Sequence, residues 1–495
     1  MGCTPHFPVF LFGVRKRLPT DSQPPPRRGG LFFLLEPSFR RRLAIVCLQV
    51  KPVPKLCLIA FCLVSLVCAL SSFAATVKDR EGAVRQDRAT LENDARWIYN
   101  GFQRGFAESR KTGKPLLVIL RCVPCLACAG IDSAVLLQET DLAPLLDQFV
   151  CVRVIDANAL DLKLFQFDYD LSFSTLFFNG NGTVYGRYGS WRHQKDPQDK
   201  TTAGYKRALQ AALAIHRAYP GNKTSLAGKQ GTATPFRTPV DIPSIGAKYK
   251  PELDWDGNVV KSCVHCHQIG EALRDEFRSK KKPLPSGLIF PWPAPEAIGV
   301  TLAPDHIAKI EAVASGSAAA KAGLKAGDDL VSLEGQPLVS IADVSWVLHH
   351  APEQGKLNAT IRSGGKDRKL ALALPQGWRE KTDVSRRVSA WHMRGMATGG
   401  LVLEDLTNED RASRGIGQEQ MALLVKFVGQ YNKHAAGKNA GFLKDDLIVE
   451  LAGKSNRLTE GEVFGYLLQI HQPGERLKVI VLRGSQRLEL LLPMQ

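Results

Sequence analysis

Long hydrophobic runs are scarce in this sequence. The charge-free apolar stretch at residues 56–70 has fifteen residues, whereas a membrane-spanning helix needs about 20. Two lysines precede this stretch, and Ser72-Phe73-Ala74 follows it with small residues where a signal peptidase reads them. The pattern predicts an N-terminal extension and signal peptide at residues 1–74, cleavage after Ala74, and export to a bacterial periplasm.

Motifs for nucleic-acid binding and for serine proteolysis are also missing. Much of the net charge of +17 lies at residues 1–55, which carry ten Lys and Arg against two acidic residues. The rest is spread over about 420 residues, as on a solvated surface, so we predict no nucleic-acid partner. The absence of a Gly-X-Ser-X-Gly motif argues against a serine protease.

Cysteine is sparse outside two tight clusters. Five of the 11 cysteines fall in the predicted pre-sequence, and the other six are Cys122, Cys125, Cys128, Cys151, Cys263 and Cys266. Structural disulfides usually tie distant segments together, whereas five of these six cysteines lie in two tight clusters, Cys122, Cys125 and Cys128 in one and Cys263 and Cys266 in the other. The clustering therefore favours redox or cofactor chemistry.

Residues 78–220 have the pattern of one α/β domain. Apolar residues at helical spacing from Leu91 to Phe106 predict a helix, and the uninterrupted apolar run Leu116–Leu120 predicts a strand buried on both faces. An Asn-Gly turn at residues 179–182 predicts a hairpin. The remaining predicted elements are a helix at about 126–137, strands at 149–155, 175–178 and 183–188, and a closing helix over 205–216.

The sequence Cys122-Val123-Pro124-Cys125 follows the buried strand directly. A helix beginning beside Cys122 would lower the pKa of its thiol through the unpaired amides at the helix N-terminus, and Arg121 would add to this effect. Cys125, one turn later, is close enough to resolve a mixed disulfide. The motif therefore predicts that Cys122 and Cys125 are a catalytic redox pair.

The domain resembles the thioredoxin superfamily over residues 90–218, through the Lys114-Pro115 lead-in, the strand, the cysteine motif and the Asn-Gly hairpin. The resemblance implies that Cys122 is the nucleophile, that Cys125 is the resolving thiol, and that the partners are proteins with thiols or disulfides. Ser174-Thr175 stands where the superfamily has a cis-proline beside the thiols. This departure makes metal binding at the thiols easier to accommodate.

The two other cysteines of this domain have simpler interpretations. Cys128 is predicted as a half-buried thiol within the helix, with a role as a third redox partner as the alternative. Cys151 lies in a predicted strand and is interpreted as a small core residue.

Residues 221–295 are rich in Gly, Pro, Lys and Thr and have the composition of a linker. Within them, the segment 254–277 contains Cys263-Val264-His265-Cys266-His267. This pattern resembles a c-type haem attachment site, in which Cys263 and Cys266 would form thioethers and His267 would bind the haem iron. The segment is short for a cytochrome domain. The alternatives are a structural disulfide or second redox pair, and half of a zinc site.

The last 200 residues contain an internal repeat. The sequence of residues 322–331 is echoed by residues 440–448, and each copy is followed by a helical stretch and two strands, which predicts tandem domains at 296–376 and 397–493. Both copies resemble PDZ domains. The resemblance assigns Ile298, Gly299 and Val300 to a loop that binds the C-terminal carboxylate of a peptide, while a strand edge pairs with the peptide backbone.

The whole arrangement resembles a family of bacterial thioredoxin/PDZ proteins, some of which are selenoproteins, although this chain has ordinary cysteine. The predicted fold class is multidomain: a thioredoxin-like α/β domain, a linker with a small haem-motif segment, and two PDZ-like β-rich domains. The predicted function is exported thiol–disulfide oxidoreductase, with PDZ domains that select a protein partner and a haem that exchanges electrons. Association with the outer face of the inner membrane is left open. The alternatives are a non-catalytic periplasmic scaffold and a metallochaperone whose cysteines bind copper or zinc.

Overall fold

The structure is a computed structural model that describes residues 79–125, 128–136, 141–190 and 199–495. The predicted signal peptide and its cleavage after Ala74 lie outside the described residues. Within these ranges, no helix combines the length and the apolar character needed to cross a membrane.

A five-stranded mixed sheet forms the centre of the first domain. Its strand order is β1-β3-β2-β4-β5, with β1, β3 and β2 parallel and with β4 and β5 antiparallel to their neighbours. The strands are β1 (Trp97–Tyr99), β2 (Leu116–Arg121), β3 (Val150–Val154), β4 (Phe173–Phe178) and β5 (Val184–Tyr188), and the helices are α1 (Arg80–Leu91), α2 (Phe102–Thr112), α3 (Ala129–Leu136), α4 (Ala143–Leu146) and α5 (Ala203–Ala218). Strand β2 is buried along its whole length, as its apolar run predicts. The sheet therefore fixes the position of Cys122, which follows this strand directly.

Two local predictions are wrong. The apolar positions from Leu91 to Phe106 do not form one helix, because α1 ends at Leu91 and the edge strand β1 precedes α2. The Asp94 carboxylate accepts the backbone N–H groups of Arg96 and Trp97, which fixes the turn between α1 and β1. The helix after the cysteine motif begins at Ala129 rather than beside Cys122.

Residues 221–295 are packed, which departs from the linker interpretation. They contain α6 (Lys223–Leu226), α7 (Pro243–Gly246), α8 (Val259–Ser262), α9 (Cys266–Ser279) and α10 (Ser286–Ile289), together with short 3-10 helices. Ile245, Val264 and Ile269 form a small core with Leu162 of the first domain. The apolar residues of this segment are separated in sequence, so they form no run, yet folding collects them on one surface.

Two further domains follow, each with a core of its own. The first has a two-stranded sheet of β6 (Val300–Leu302) and β7 (Ile310–Val313) and a four-stranded sheet with the order β11-β10-β8-β9. Its other elements are α11 (Ala318–Lys321), β8 (Asp329–Leu333), β9 (Gln336–Pro337), α12 (Ile341–His350), β10 (Gly355–Ser363) and β11 (Lys366–Leu374). Residues 322–331, the first copy of the sequence repeat, lead from α11 into β8.

The second of these domains has one antiparallel sheet with the order β12-β13-β14-β15-β16. Its elements are α13 (Ala390–Ala397), β12 (Leu401–Asp405), α14 (Asn408–Ser413), β13 (Leu423–Val428), α15 (Ala436–Asn439), β14 (Leu447–Leu451), α16 (Glu460–Ile470), β15 (Arg476–Arg483) and β16 (Gln486–Pro493). Ile289 and Phe290, from the segment at 221–295, pack into its core. This segment therefore contacts both the first domain and the last one.

A buried ion pair ties these parts together. Lys229 Nζ lies 2.6 Å from Asp343 Oδ2, and both side chains are fully buried. The same carboxylate accepts the backbone N–H of Arg187 in β5, and the Arg187 guanidinium lies 3.6 Å from the ring centroid of Trp346 in α12. Because an unpaired charge is costly to bury, these contacts fix the first domain, the segment and the following domain in one arrangement.

Candidate functional site: a half-buried dithiol under a second Cys-X-X-Cys segment

Cys122 and Cys125 face each other in a tight turn at the end of β2. The Cys122 thiol donates a hydrogen bond to Cys125 Sγ at 3.0 Å, and the Cys125 amide donates to the Cys122 carbonyl at 3.0 Å. The Cys122 amide donates to the carbonyl of Ser172, directly before β4, at 2.9 Å. Both thiols are free and half-buried. The turn therefore holds two reduced sulfurs in contact.

Arg121 holds the backbone of this turn through hydrogen bonds. Its guanidinium donates to the carbonyls of Cys122 at 2.6 Å, Cys125 at 2.9 Å and Ser172 at 3.1 Å. Its Nε lies 2.9 Å from the carboxylate of Asp132, and both side chains are largely buried. From the sequence, the Arg121 charge is predicted to stabilise the thiolate of Cys122. In the structure the guanidinium is paired with Asp132 and bound to backbone oxygens, so its clearest role is to position the turn.

His265 is the residue that sequence analysis missed. Its Nδ1 lies 3.1 Å from Cys122 Sγ, although 143 positions separate them in the chain. His265 precedes α9, and its amide donates to Gln268 Oε1, while the Gln268 amide group donates to the Tyr249 hydroxyl. The Cys-X-X-Cys-His pattern points to His267 as a ligand. No local signal marks His265, which lies between Cys263 and Cys266, as a partner of Cys122 and Cys125.

The pKa values of the two thiols are shifted in opposite directions. The hydrogen bond from Cys122 and, to a smaller extent, the nearby His265 together lower the pKa of Cys125 to about 4 despite burial. The pKa of Cys122 is raised well above its usual value, because Cys122 is the donor to Cys125 and because it is buried. The first ionisation of the pair therefore leaves its negative charge on Cys125. Since α3 begins at Ala129, the thiolate is stabilised by side chains rather than by a helix N-terminus beside Cys122.

Cys263 and Cys266 border the same place. Together with Cys122, they line a small cavity, whose other walls are Leu120, Arg121, Val154, Ile155, Ala157 and Val264. Cys266 is the first residue of α9, and Cys263 Sγ lies 3.6 Å from the Ile155 carbonyl. Burial raises the pKa of Cys263, and it raises that of Cys266 to about 12, so both sulfurs stay protonated at neutral pH.

This packing does not fit a haem. The space beside Cys263 and Cys266 is a small cavity walled by residues of the first domain, among them Leu120, Val154 and Ile155, whereas a haem needs at least a pocket of small-molecule size, about 300–1,000 Å³. The ring of His267, the expected iron ligand, is paired through Nδ1 with Glu271 at 3.0 Å, which leaves Nε2 available to a metal, so the obstacle is the packing around the two cysteines and not the histidine. A porphyrin attached to these cysteines would have to displace the walls of the first domain. The haem assignment stays a sequence-based prediction, and no step below passes through it.

Cys128 and Cys151 are buried elsewhere in the first domain. Cys128 precedes α3 with φ of +62°, rather than lying inside a helix, and burial raises its pKa to about 11. Cys151 lies in β3 and is 1% exposed, and burial raises its pKa to about 12. Neither thiol has the ionised, accessible state that reactivity requires.

The expected peptide-binding loop, Ile298, Gly299 and Val300, forms the junction between a 3-10 turn and β6. The side chains of Ile298 and Val300 are buried in the domain core. Gly299 has φ of +85°, and a Cβ atom there would overlap Ser317. Its amide donates to the Glu296 carbonyl at 2.9 Å. The side chains of Ile298 and Val300 thus stabilise the loop, and only its backbone groups would be available to bind a peptide.

The site also has the donor set of a metal centre. One ligand atom each from Cys122, Cys125 and His265 lies within 4.8 Å of the others. Thiolate and imidazole ligands suit Zn²⁺ and Cu⁺. The same three side chains can therefore serve redox chemistry or hold a soft metal ion.

Comparisons with known proteins agree with parts of the sequence-based assignment. Residues 97–180 match the family model described as thioredoxin-like, and residues 296–374 match the one described as PDZ domain. No curated protein matches the chain. Solved structures of the HtrA-type protease AlgW with a decapeptide and with a tripeptide are 16% and 17% identical to this chain, with TM-scores of 0.18 and 0.17.

These matches cover 28% and 27% of this chain and 47% of each AlgW chain, so the chain spans about half the length of either structure. Such low scores carry no argument about the overall arrangement. The family models describe the two domains directly, and a PDZ domain is a module that binds peptides. This chain contains a thioredoxin-like domain followed by a PDZ domain.

Proposed function

We propose that this protein is an exported thiol–disulfide oxidoreductase whose redox-active pair is Cys122 and Cys125. The observation that carries the proposal is the contact of the two sulfurs at 3.0 Å with His265 at 3.1 Å from one of them. A fixed dithiol with a stabilised thiolate is the arrangement that thiol exchange requires.

In the proposed reaction, one sulfur of the pair attacks a disulfide of a partner protein. A mixed disulfide forms, and one partner sulfur leaves as a thiolate and takes up a proton. The second sulfur of the pair then attacks the mixed disulfide, so the partner leaves as a dithiol and Cys122–Cys125 becomes a disulfide. Two electrons and two protons pass to the partner. His265 accepts and returns the proton of Cys122.

The assignment of the attacking sulfur is part of the proposal. The family resemblance assigns attack to Cys122, whereas the hydrogen bonds leave the resting charge on Cys125. We propose that Cys125 makes the first attack, because its sulfur already carries the charge and Cys122 points toward the cavity. The variant that retains the attacking sulfur alone will accumulate a stable mixed disulfide.

The PDZ domain has the role of bringing a protein partner to the thiols. The domain at 296–374 would bind an extended peptide or chain terminus through its backbone. We propose the same fold for residues 397–493, which share the repeat and have an edge strand, β12, in a five-stranded sheet. The buried contacts of Lys229 with Asp343 hold the first PDZ domain and the dithiol domain at a fixed separation.

The experiment is the reduction of a protein disulfide, such as that of insulin, by the pre-reduced full chain. Cys122→Ser and Cys125→Ser should each reduce turnover to background. Cys151→Ala is the matched control, since this thiol is buried in β3, and it should retain activity. Turnover that persists in both Cys122→Ser and Cys125→Ser would contradict the proposal.

A second candidate function is metal binding by Cys122, Cys125 and His265, favoured by the approach of their donor atoms to within 4.8 Å. Equilibrium dialysis of the reduced chain with Zn²⁺ and with Cu⁺ tests it. One tightly held ion per chain, lost in each of the three single variants and retained in Cys151→Ala, would favour this function over thiol exchange.

A further inference from the structure

We propose that Cys263 and Cys266 are the internal redox partner of Cys122 and Cys125, so that electrons pass between the two pairs within one chain. This inference rests on the proposed function of the first pair. It assigns the Cys-X-X-Cys-His segment to dithiol chemistry.

The first observation is that the two pairs share a cavity. Cys122, Cys263 and Cys266 all line the same small cavity, and the other walls are mainly apolar. The electrostatic influence of Cys266 and of Cys263 reaches Cys122. Two Cys-X-X-Cys motifs that lie about 140 positions apart in the sequence thus border one cavity.

The second observation is that the segment covers the thiols. His265, between the two cysteines of the segment, contacts Cys122 Sγ directly. The segment is held in place by Val264 and Ile269, which pack against Leu162 of the first domain, and by the Asn158 side chain, which accepts the Val264 amide at 2.7 Å. A disulfide of the segment would therefore meet Cys122 without any docking step.

The third observation is the local geometry of the second pair. Cys263 precedes Cys266 by three residues, and Cys266 opens a helix of 14 residues. A cysteine pair with this spacing at a helix start has the geometry of a redox motif. Both sulfurs are free thiols in the structure, so the pair is available to form its own disulfide.

The step balances as an exchange between a dithiol and a disulfide. Cys122 Sγ attacks Cys266 Sγ of a Cys263–Cys266 disulfide, the Cys122–Cys266 bond forms, and Cys263 leaves and takes up a proton. Cys125 then attacks Cys122 Sγ and releases Cys266, which also takes up a proton. The first pair loses two electrons and two protons, and the second pair gains both. The reverse sequence carries electrons the other way, with a partner protein's dithiol or disulfide as the external reactant.

The test traps the intermediate in the full-length chain. The double variant Cys125→Ser/Cys263→Ser retains Cys122 and Cys266, and oxidised glutathione should convert them into an internal disulfide with loss of both thiols. The double variant Cys125→Ser/Cys266→Ser provides the control: there Cys122 should be left mainly as a glutathione adduct. Peptide mapping under non-reducing conditions identifies each bond, and circular dichroism checks the fold.

The outcomes separate this inference from the proposed function. A Cys122–Cys266 bond in the first variant supports the relay. A glutathione adduct on Cys122 with Cys266 still a thiol overturns the relay and leaves the proposed function standing. If no glutathione adduct forms on Cys122 in Cys125→Ser or on Cys125 in Cys122→Ser, both the relay and the proposed function are overturned. In the unaltered chain, a Cys263–Cys266 disulfide that never appears at any glutathione ratio also overturns the relay.

Discussion

Nδ1 of His265 lies 3.1 Å from Sγ of Cys122, across 143 residues of sequence. The imidazole comes from a segment that follows the thioredoxin-like domain, and the sulfur comes from the end of the central strand of that domain. The thiol site is thus completed by two separate parts of the chain. Its chemistry depends on a contact that exists only when the segment is docked.

Replacement of His265 should raise the pKa of the dithiol. The nearby imidazole of His265 lowers the pKa of Cys125, so His265→Ala should shift the thiolate toward the thiol. Alkylation by iodoacetamide at about pH 4 should slow about fivefold for a rise of one pKa unit, since about half of the thiol is ionised when the pH equals the pKa and about a tenth is ionised one unit below it, and the rate at about pH 9 should change little. His306→Ala is the control, because His306 pairs with Asp305 at the surface of the PDZ domain. Equal slowing at both pH values would point to blocked access instead.

The alkylation of the unaltered dithiol should depend little on pH near neutrality. A thiol with a pKa of about 4 is already ionised at pH 6, whereas an ordinary thiol gains about tenfold in thiolate per pH unit below its pKa of about 8.5. The rate should therefore be flat from about pH 6 to pH 8 and should fall only as the pH approaches 4. Stopped-flow alkylation with mass mapping measures it. A tenfold rise per unit across this window would contradict the lowered pKa of Cys125.

The buried ion pair should be important for stability. Lys229→Met leaves Asp343 buried without its cation, and breaking such a pair costs about 3–5 kcal/mol in the free energy of unfolding. Arg362→Met is the matched control, because the Arg362–Asp367 pair is half exposed, and exposed pairs contribute about 0–1 kcal/mol. Urea unfolding followed by tryptophan fluorescence compares the two. Similar midpoints for both variants would show that the Lys229 pair does not tie the domains together.

Gly299→Ala should destabilise the first PDZ domain more than a glycine change with open surroundings. A left-handed backbone costs a non-glycine residue about 1–2 kcal/mol, and at Gly299 the added Cβ would also overlap Ser317. Gly327→Ala is the control, since Gly327 has φ of +91° and no atom within 4 Å of the added Cβ. Thermal unfolding should give the larger loss for Gly299→Ala. An equal loss of thermal stability in the two variants would mean that the loop accommodates the added Cβ atom beside Ser317 at no extra cost.

The chain expressed with c-type haem maturation enzymes should show no covalent haem absorption. Cys263 and Cys266 face only a small cavity walled by residues of the first domain, so a porphyrin attached to them would have to displace those walls. An absorption spectrum before and after dithionite checks this, and alkylation of Cys263 and Cys266 in the denatured chain confirms that both are free. A haem band that survives denaturation would revive the cytochrome assignment and remove the relay.

The parts of the fold that sequence could predict are those encoded locally. The run Leu116–Leu120 predicts a buried strand because every side chain in it is apolar, and the Asn-Gly turn predicts the hairpin before β5 because few other residues adopt its backbone. Cys122 and Cys125 are found together because their spacing fixes their distance.

The remainder depends on contacts between distant segments. Composition suggested a linker at 221–295 because its apolar residues are isolated in sequence, although Ile245 and Ile269 meet Leu162 once folded. His265 carries no local signal of its contact with Cys122. Strand β1 has only three residues, too few for its periodicity to stand out from the helices on either side.

The central claim is that Cys122 and Cys125 undergo reversible two-electron oxidation. The most direct measurement is a redox titration of the full chain in glutathione buffers, with acid quenching, alkylation and mass mapping of every cysteine. The account predicts that a Cys122–Cys125 disulfide forms and disappears together at both sulfurs as the ratio of oxidised to reduced glutathione changes, while Cys151 stays a thiol. Cys122 and Cys125 that remain free thiols at every ratio would contradict it.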